Sequence, residues 1–260
     1  MINVASWVVV VLGLLTVLGF VDQGQREVKF HALEVNIDSK DGNFFIVEED
    51  IEQMVYDLGY TPEVLTISEV DIADIEQILR NNPSIKNANV YHSINGTVRI
   101  EIEQRNPIIR VFNESGESYY IDETGWLMPL SSKYTSRVMV ATGALNEPYA
   151  LRYNTNMATL EEYSEELDNN ILQELYDLAT FVEADEFWKA QIIQVKVLEN
   201  GELELIPRVG NHTILLGTTD ELELKFKKLK IFYEKGLSKT GWNEYSQINL
   251  KFDNQVVCTK

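Results

Sequence analysis

The side chains of this 260-residue chain that could do chemistry are few and scattered. Its three histidines, His31, His92 and His212, are far apart and show no HxxxH or HxH spacing that would set two imidazoles on one metal. The single Cys258 excludes an intrachain disulfide and any cysteine-based metal cluster, and two residues from the end of the sequence it reads as a bystander rather than a nucleophile. Glu161, Glu162, Glu165, Glu166 and Glu174 could be imagined as an acid/base pair. No partner base or cofactor motif accompanies them, so a solvated helix face is the expectation. No catalytic residue, metal, cofactor or small-molecule substrate is therefore expected. A formal charge of -19, from 41 acidic and 22 basic residues, argues against nucleic acid or an anionic membrane surface as the main partner, because those recruit clustered Lys and Arg.

The elements that carry these residues begin with an apolar run. Ile2 to Val21 holds no charge, and at ~1.5 Å per residue a helix of that length spans the ~30 Å hydrocarbon core. A cleaved signal peptide is the competing reading, but it needs a basic start and a small-residue cleavage site that Met1-Ile-Asn3 and Gly19-Phe-Val-Asp22 do not supply. Residues 1–22 are thus expected to be a transmembrane anchor contacting the bilayer. Arg26 and Lys29 follow the run and no basic residue precedes it, so the positive-inside rule alone points the C-terminal part toward the cytoplasm.

A small module follows over 23–106. Residues 30–37 alternate enough for one strand, and Val47, Ile51, Met54, Val55 and Leu58 recur at helical spacing after Glu48-Glu49-Asp50, with Gly59 placed to end the helix. A second helix is predicted over 70–81, closed by Asn81-Asn82-Pro83. Ala88, Val90, His92 and Ile94, then Val98, Ile100 and Ile102, mark two strands across Asn95-Gly96, the favoured pair for a type I′ turn. The order βααββ implies two helices on one face of a three-stranded sheet. Arg99, Glu101 and Glu103 form its exposed row.

Beyond Asn106-Pro107 the pattern restarts as short strands over 108–112, 118–121, 126–130 and 137–141, separated by Asn113-Glu-Ser-Gly116 and Asp122-Glu-Thr-Gly125. A helix is predicted over 160–184, then a hairpin across Asn200-Gly201 and a strand over 212–216. Thr218-Thr-Asp-Glu221 reads as a capping box opening a helix that Gly236 ends, and residues 247–257 read as one final strand. The class is α+β: an N-terminal transmembrane helix, a small βααββ module, and over 107–260 a mixed, β-rich domain with two helices.

Several stretches carry a family resemblance: Asn82-Pro-Ser-Ile-Lys-Asn-Ala-Asn-Val90, Glu103-Gln-Arg-Asn-Pro-Ile-Ile-Arg110, Ile121-Asp-Glu-Thr-Gly-Trp-Leu-Met-Pro129, Gly217 with Glu223-Leu-Lys-Phe-Lys-Lys-Leu229, and Ile248-Asn-Leu-Lys-Phe-Asp253. In that order and spacing the chain resembles the FtsQ/DivIB family of bacterial division proteins over nearly its whole length. The resemblance implies a single-pass inner-membrane protein of the divisome, with a cytoplasmic N-terminus and both domains periplasmic. Its first domain would be a POTRA module; its β-domain would bind the small coiled-coil partners FtsB and FtsL during septum assembly. Carried over residue by residue, the partner-binding end strand falls on Lys251, Phe252, Asp253, Asn254 and Val256. Phe252 stands where the family commonly has an aromatic hydroxyl.

A terminal strand suits such binding because an open sheet edge leaves N–H and C=O groups that an incoming strand can satisfy. Asn249, Lys251 and Asp253 would then alternate with Ile248, Leu250 and Phe252. Lys251 is either an electrostatic contact for an acidic peptide or a solubilising edge charge, and Phe252 either a contact or core packing. The other reading of the same architecture is a POTRA protein of outer-membrane assembly or secretion, which would repeat the module or append barrel strands.

Overall fold

The computed structural model describes residues 7, 11–16, 28–39, 42–146, 156 and 171–260. They fall into two compact units, Met1–Gln104 and Arg105–Lys260. Of the predicted anchor, Trp7 and residues 11–16 are helical, and Trp7, Val11, Leu12, Leu14 and Leu15 are all more than half exposed. The rest of that run lies outside the described residues, among which no helix is long and apolar enough to cross a membrane.

The first unit holds β1 (Ala32–Asp38), α1 (Glu48–Asp57), α2 (Ile72–Arg80), β2 (Ile85–His92) and β3 (Thr97–Gln104), in the βααββ order. The sheet order is β1-β3-β2, with β1 parallel and β2 antiparallel to the central β3. One face of β3, Val98, Ile100 and Ile102, is buried with Ile51 and Val55 of α1 and Ile75 and Leu79 of α2. The exposed row is paired across strands: Arg99 Nε to Glu34 at 2.7 Å, Tyr91 OH to Glu101 at 2.8 Å, Lys86 Nζ to Glu103 at 2.8 Å.

Both helices are held at their ends. Asp71 caps α2 by accepting from Ala73 N at 3.0 Å and Asp74 N at 3.2 Å, and Arg80 at its end donates to Ala88 O at 2.9 Å. Ahead of α1, Phe45 N and Ile46 N donate to Gln104 Oε1 at 3.0 and 3.1 Å.

The β2–β3 turn differs from the type I′ expectation. Gly96 has φ +88°, whereas Asn95 has no positive φ. Ser93 N donates to Thr97 O at 2.9 Å and Gly96 N to Ser93 O at 3.1 Å, so the loop has three residues and only its last needs the left-handed region. The Asn200-Gly201 turn repeats this, with Leu198 N to Glu202 O and Gly201 N to Leu198 O both at 2.9 Å. Asn113 to Glu117 and Asp122 to Trp126 close in the same pattern.

The second unit contains β4 (Pro107–Phe112), β5 (Ser118–Asp122), β6 (Leu127–Met128), β7 (Met139–Gly143), α3 (Ile171–Glu183), α4 (Glu186–Gln191), β8 (Ile192–Val197), β9 (Leu203–Pro207), β10 (Thr213–Gly217), α5 (Leu222–Phe232), β11 (Gln247–Asn249) and β12 (Val257–Thr259). They build a nine-stranded mixed sheet in the order β12-β11-β10-β9-β8-β7-β4-β5-β6. The helices share one buried cluster with it, through Leu175, Leu178 and Val182 of α3, Trp188 of α4, and Phe226 and Leu229 of α5. Ring contacts join them, Phe181 to Phe226 at 4.8 Å and Trp188 to Phe226 at 4.9 Å, and beyond α5 Tyr233 meets Trp242 at 5.0 Å.

Among the described residues three helices of six or more residues, rather than two, cover this unit. Asp185 accepts from Phe187 N at 2.8 Å and Trp188 N at 3.2 Å, which starts the short α4 between the helix expected over 160–184 and the hairpin. The part of the predicted helix over 160–170, with Glu161, Glu162, Glu165 and Glu166, lies outside the described residues. Glu174 is described, and it is half-buried. Its Oε2 is buried with no hydrogen-bond partner, and burial raises its pKa.

Candidate interaction surface at the C-terminal edge

The predicted final strand is instead two strands and a loop. After β10 the chain forms α5 and returns as β11 beside β10, in parallel, with Thr213 opposite Gln247 and Leu215 opposite Asn249. β12 then pairs antiparallel with β11, Val257 opposite Asn249 and Thr259 opposite Gln247, and occupies the end of the sheet. Both flanks of β11 are therefore covered, and among the described residues β12 is the edge at this end of the sheet. Val257 on it is 39% exposed, and Cys258 is half-buried, with burial raising its thiol pKa.

Local hydrogen bonds explain why the strand stops. Asn249 Oδ1 accepts from Lys251 N at 3.0 Å, a turn-forming side-chain contact that competes with strand continuation. Lys228 of α5 donates from Nζ to Leu250 O at 3.2 Å and Phe252 O at 2.7 Å, pulling these carbonyls toward the helix. Asn254 then adopts φ +59°, a conformation asparagine tolerates better than most residues, and the chain reverses into β12.

The alternation expected from Ile248 onward survives as far as Leu250, both fully buried. It fails at Phe252, which is 45% exposed. Core packing of that ring is thus overturned, because the backbone has left the sheet before it. Lys251 pairs with Glu202, whose carboxyl it holds below the usual range, and its stem lies over Gly217, where an added Cβ would meet Lys251 Cγ at 3.0 Å. Asp253 is exposed, and Val256 is partly buried against the core. The five predicted residues, Lys251, Phe252, Asp253, Asn254 and Val256, are thus brought together in one loop, and none is in a strand.

Beside this loop is a groove of about 360 Å³ whose lining includes Ile231, Phe232, Lys235, Asn254 and Val256. Ile231 is 47% exposed and Leu224 42%. α5 and the turn after it carry Lys225, Lys227, Lys228, Lys230 and Lys235, a local excess of positive charge in a chain of charge -19. Sequence reasoning missed Lys228, Ile231 and Val257 as parts of this surface. The cluster of lysines along one short helix of an acidic chain was the signal available.

The start of α5 also departs from the capping-box expectation. Glu221 sits at φ +55° without capping through its side chain, Thr218 Oγ1 donates to Asp220 at 2.8 Å, and Lys225 Nζ donates to Thr218 O at 2.8 Å. Nor does Gly236 end the helix. It lies within the wider turn Tyr233–Leu237, which leads into Ser238–Thr240 before Gly241 breaks the path at φ +101°.

Among the described residues no three His, Cys, Asp or Glu side chains gather to hold a metal. His212 is buried, its Nε2 3.1 Å from Tyr233 OH and its Nδ1 3.4 Å from Trp242 O. Burial lowers the His212 pKa and raises that of Tyr233, as expected of two core groups.

Comparison with known proteins covers both units. A family model described as FtsQ/DivIB, C-terminal related, matches residues 106–259, and one for a POTRA-like domain matches residues 29–103. No curated protein matches the chain.

Proposed function

The chain belongs to the FtsQ/DivIB family, and from that premise we propose that it is a non-enzymatic, membrane-anchored scaffold of the bacterial divisome. It binds FtsB/FtsL-like partners through β12 and the loop before it. The observation that carries this reading is the open edge at β12 beside a loop that Lys228 holds with Phe252 outward. An extended partner segment adding to β12 would satisfy its free backbone groups, while the exposed ring of Phe252 and the groove at Ile231 and Val256 receive apolar side chains. Lys251, Asp253 and Asn254 flank that path, and the lysines of α5 suit an acidic partner.

In this reading residues 1–22 cross the inner membrane once, with the N-terminus cytoplasmic and the POTRA-like and β-domains periplasmic. Alkaline phosphatase fused after Lys260 tests the topology: an active fusion supports it, and an inactive one places the domains inside.

Co-purification from detergent-solubilised cells tests the binding. Wild-type chain recovers an FtsB/FtsL-like protein, and Phe252→Ala or Lys251→Glu reduces the recovery. Equal recovery with both variants removes this loop from the interface.

A further inference from the structure

The two most exposed large apolar side chains among the described residues are Ile94, at 83%, and Val64, at 74%. They lie on separate loops of the first unit, and one short segment joins them. On one side of residues 28–31, Ile67 N donates to Val28 O at 2.8 Å, Phe30 N to Leu65 O at 2.9 Å, and Glu63 N to Phe30 O at 2.6 Å. On the other side His31 N donates to Gly96 O at 2.8 Å. The approach there is close enough that a Cβ on Gly96 would stand 2.1 Å from Lys29 O. The tip of the β2–β3 hairpin and the loop carrying Val64 therefore flank the place where the chain joins the unit.

That place is tethered. Residues 22–27 separate the apolar run from Val28, and six residues reach at most about 20 Å. Scattered exposed apolar side chains are ordinary, but here the two extremes share the one end that a membrane anchor would hold near lipid. Lys29, exposed between them, has a stem that can lie along acyl chains with its ammonium at the headgroups. The acid beside Val64 is engaged, with Glu63 Oε1 2.8 Å from His31 Nδ1.

We propose that this end of the POTRA-like unit contacts the bilayer, with Ile94 and Val64 entering its interfacial layer beside the anchor and Lys29 at the headgroups. The contact rests on the reading of residues 2–21 as a membrane span. It gives the unit a second attachment to lipid besides the anchor itself.

The test uses the full chain carrying Cys258→Ser and one new cysteine labelled with a polarity-sensitive fluorophore, in phosphatidylethanolamine/phosphatidylglycerol vesicles. Ile94→Cys reports the tip and Val11→Cys the span. Phe44→Cys is the reference, because Phe44 is 54% exposed beside Gln104, at the end of β3 opposite Thr97. Acyl-chain nitroxide lipids should quench the Ile94 probe several-fold more than the Phe44 probe, with iodide showing the reverse order. Iodide quenching of Ile94 equal to that of Phe44, with the Val11 probe quenched by lipid, overturns the contact and leaves the anchor standing. An Ile94 probe shielded from both quenchers means that protein covers this end, which also overturns the contact. Iodide quenching of the Val11 probe removes the anchor, and the proposal with it.

Discussion

Lys228 and Phe252, 24 positions apart in the chain, are joined by a 2.7 Å hydrogen bond from the ammonium to the backbone carbonyl. The same ammonium reaches Leu250 O, so one side chain of α5 sets the course of the loop that leads to the sheet edge. Removing it should free the loop without unfolding the unit, since a partly exposed charged hydrogen bond contributes about 1–3 kcal/mol at most. Lys228→Met is expected to speed amide exchange over 250–256 while leaving exchange in β8 and β9 unchanged. Exchange read by mass spectrometry checks this, and an unaltered loop would show that Lys228 does not hold it.

A second prediction concerns the buried pair Arg105–Asp122. Arg105 Nη1 lies 2.9 Å from Asp122 Oδ2, with side-chain exposures of 10% and 0%, and the guanidinium stacks 4.5 Å from the Trp126 ring. Asp122 Oδ1 also accepts from Thr124 N and Trp126 N, both at 2.8 Å, so the carboxylate closes the β5–β6 loop and neutralises the arginine. Asp122→Ala leaves that charge buried and should cost about 3–5 kcal/mol. Urea unfolding followed by tryptophan fluorescence measures the loss.

Two glycines of similar φ separate backbone strain from crowding. Gly59, at φ +90°, has open space around a virtual Cβ, whereas at Gly96, at φ +88°, that atom would be 2.1 Å from Lys29 O. Gly59→Ala should cost only the left-handed conformation, about 1–2 kcal/mol. Gly96→Ala must also displace Lys29, so its melting temperature should fall clearly further. Equal shifts for the two variants would contradict the close approach.

The stability of the second unit should also weaken in mild acid. His212 has its pKa lowered by burial, so the unfolded chain binds its proton first as pH falls. The stabilisation is complete above the unfolded value of about 6.5 and declines below it toward the lowered folded value. His212→Gln should flatten the pH dependence of the melting temperature between pH 5 and 7. An unchanged slope would assign it to other groups.

The βααββ order of the first unit was legible because its buried positions recur cleanly: Ile51 and Val55, Ile75 and Leu79, then Val98, Ile100 and Ile102 on alternate residues. Turn geometry was less so, since Asn-Gly looks alike in two- and three-residue loops and only the φ of Asn95 separates them. At the C-terminus the apolar alternation of Ile248 and Leu250 continues in the sequence through Phe252, but the strand does not. Its end is decided by Asn249 next to it and by Lys228 on another element, and the latter is a tertiary contact that no local pattern records. For the same reason the residues carried over from the family, expected in a strand, lie in a loop. The buried Oε2 of Glu174 was hidden too, because a glutamate among other glutamates reads as solvated until the packing of α3 is known.

Partners are proposed to meet the chain at the β12 edge and the loop before it. Replacing Phe252 by a photocrosslinking phenylalanine analogue in growing cells, with Ile193 on β8 as the exposed reference, tests it most directly. A light-dependent adduct with an FtsB/FtsL-like protein is expected from position 252 and none from position 193. Adducts from position 193 alone, or from neither, would contradict it.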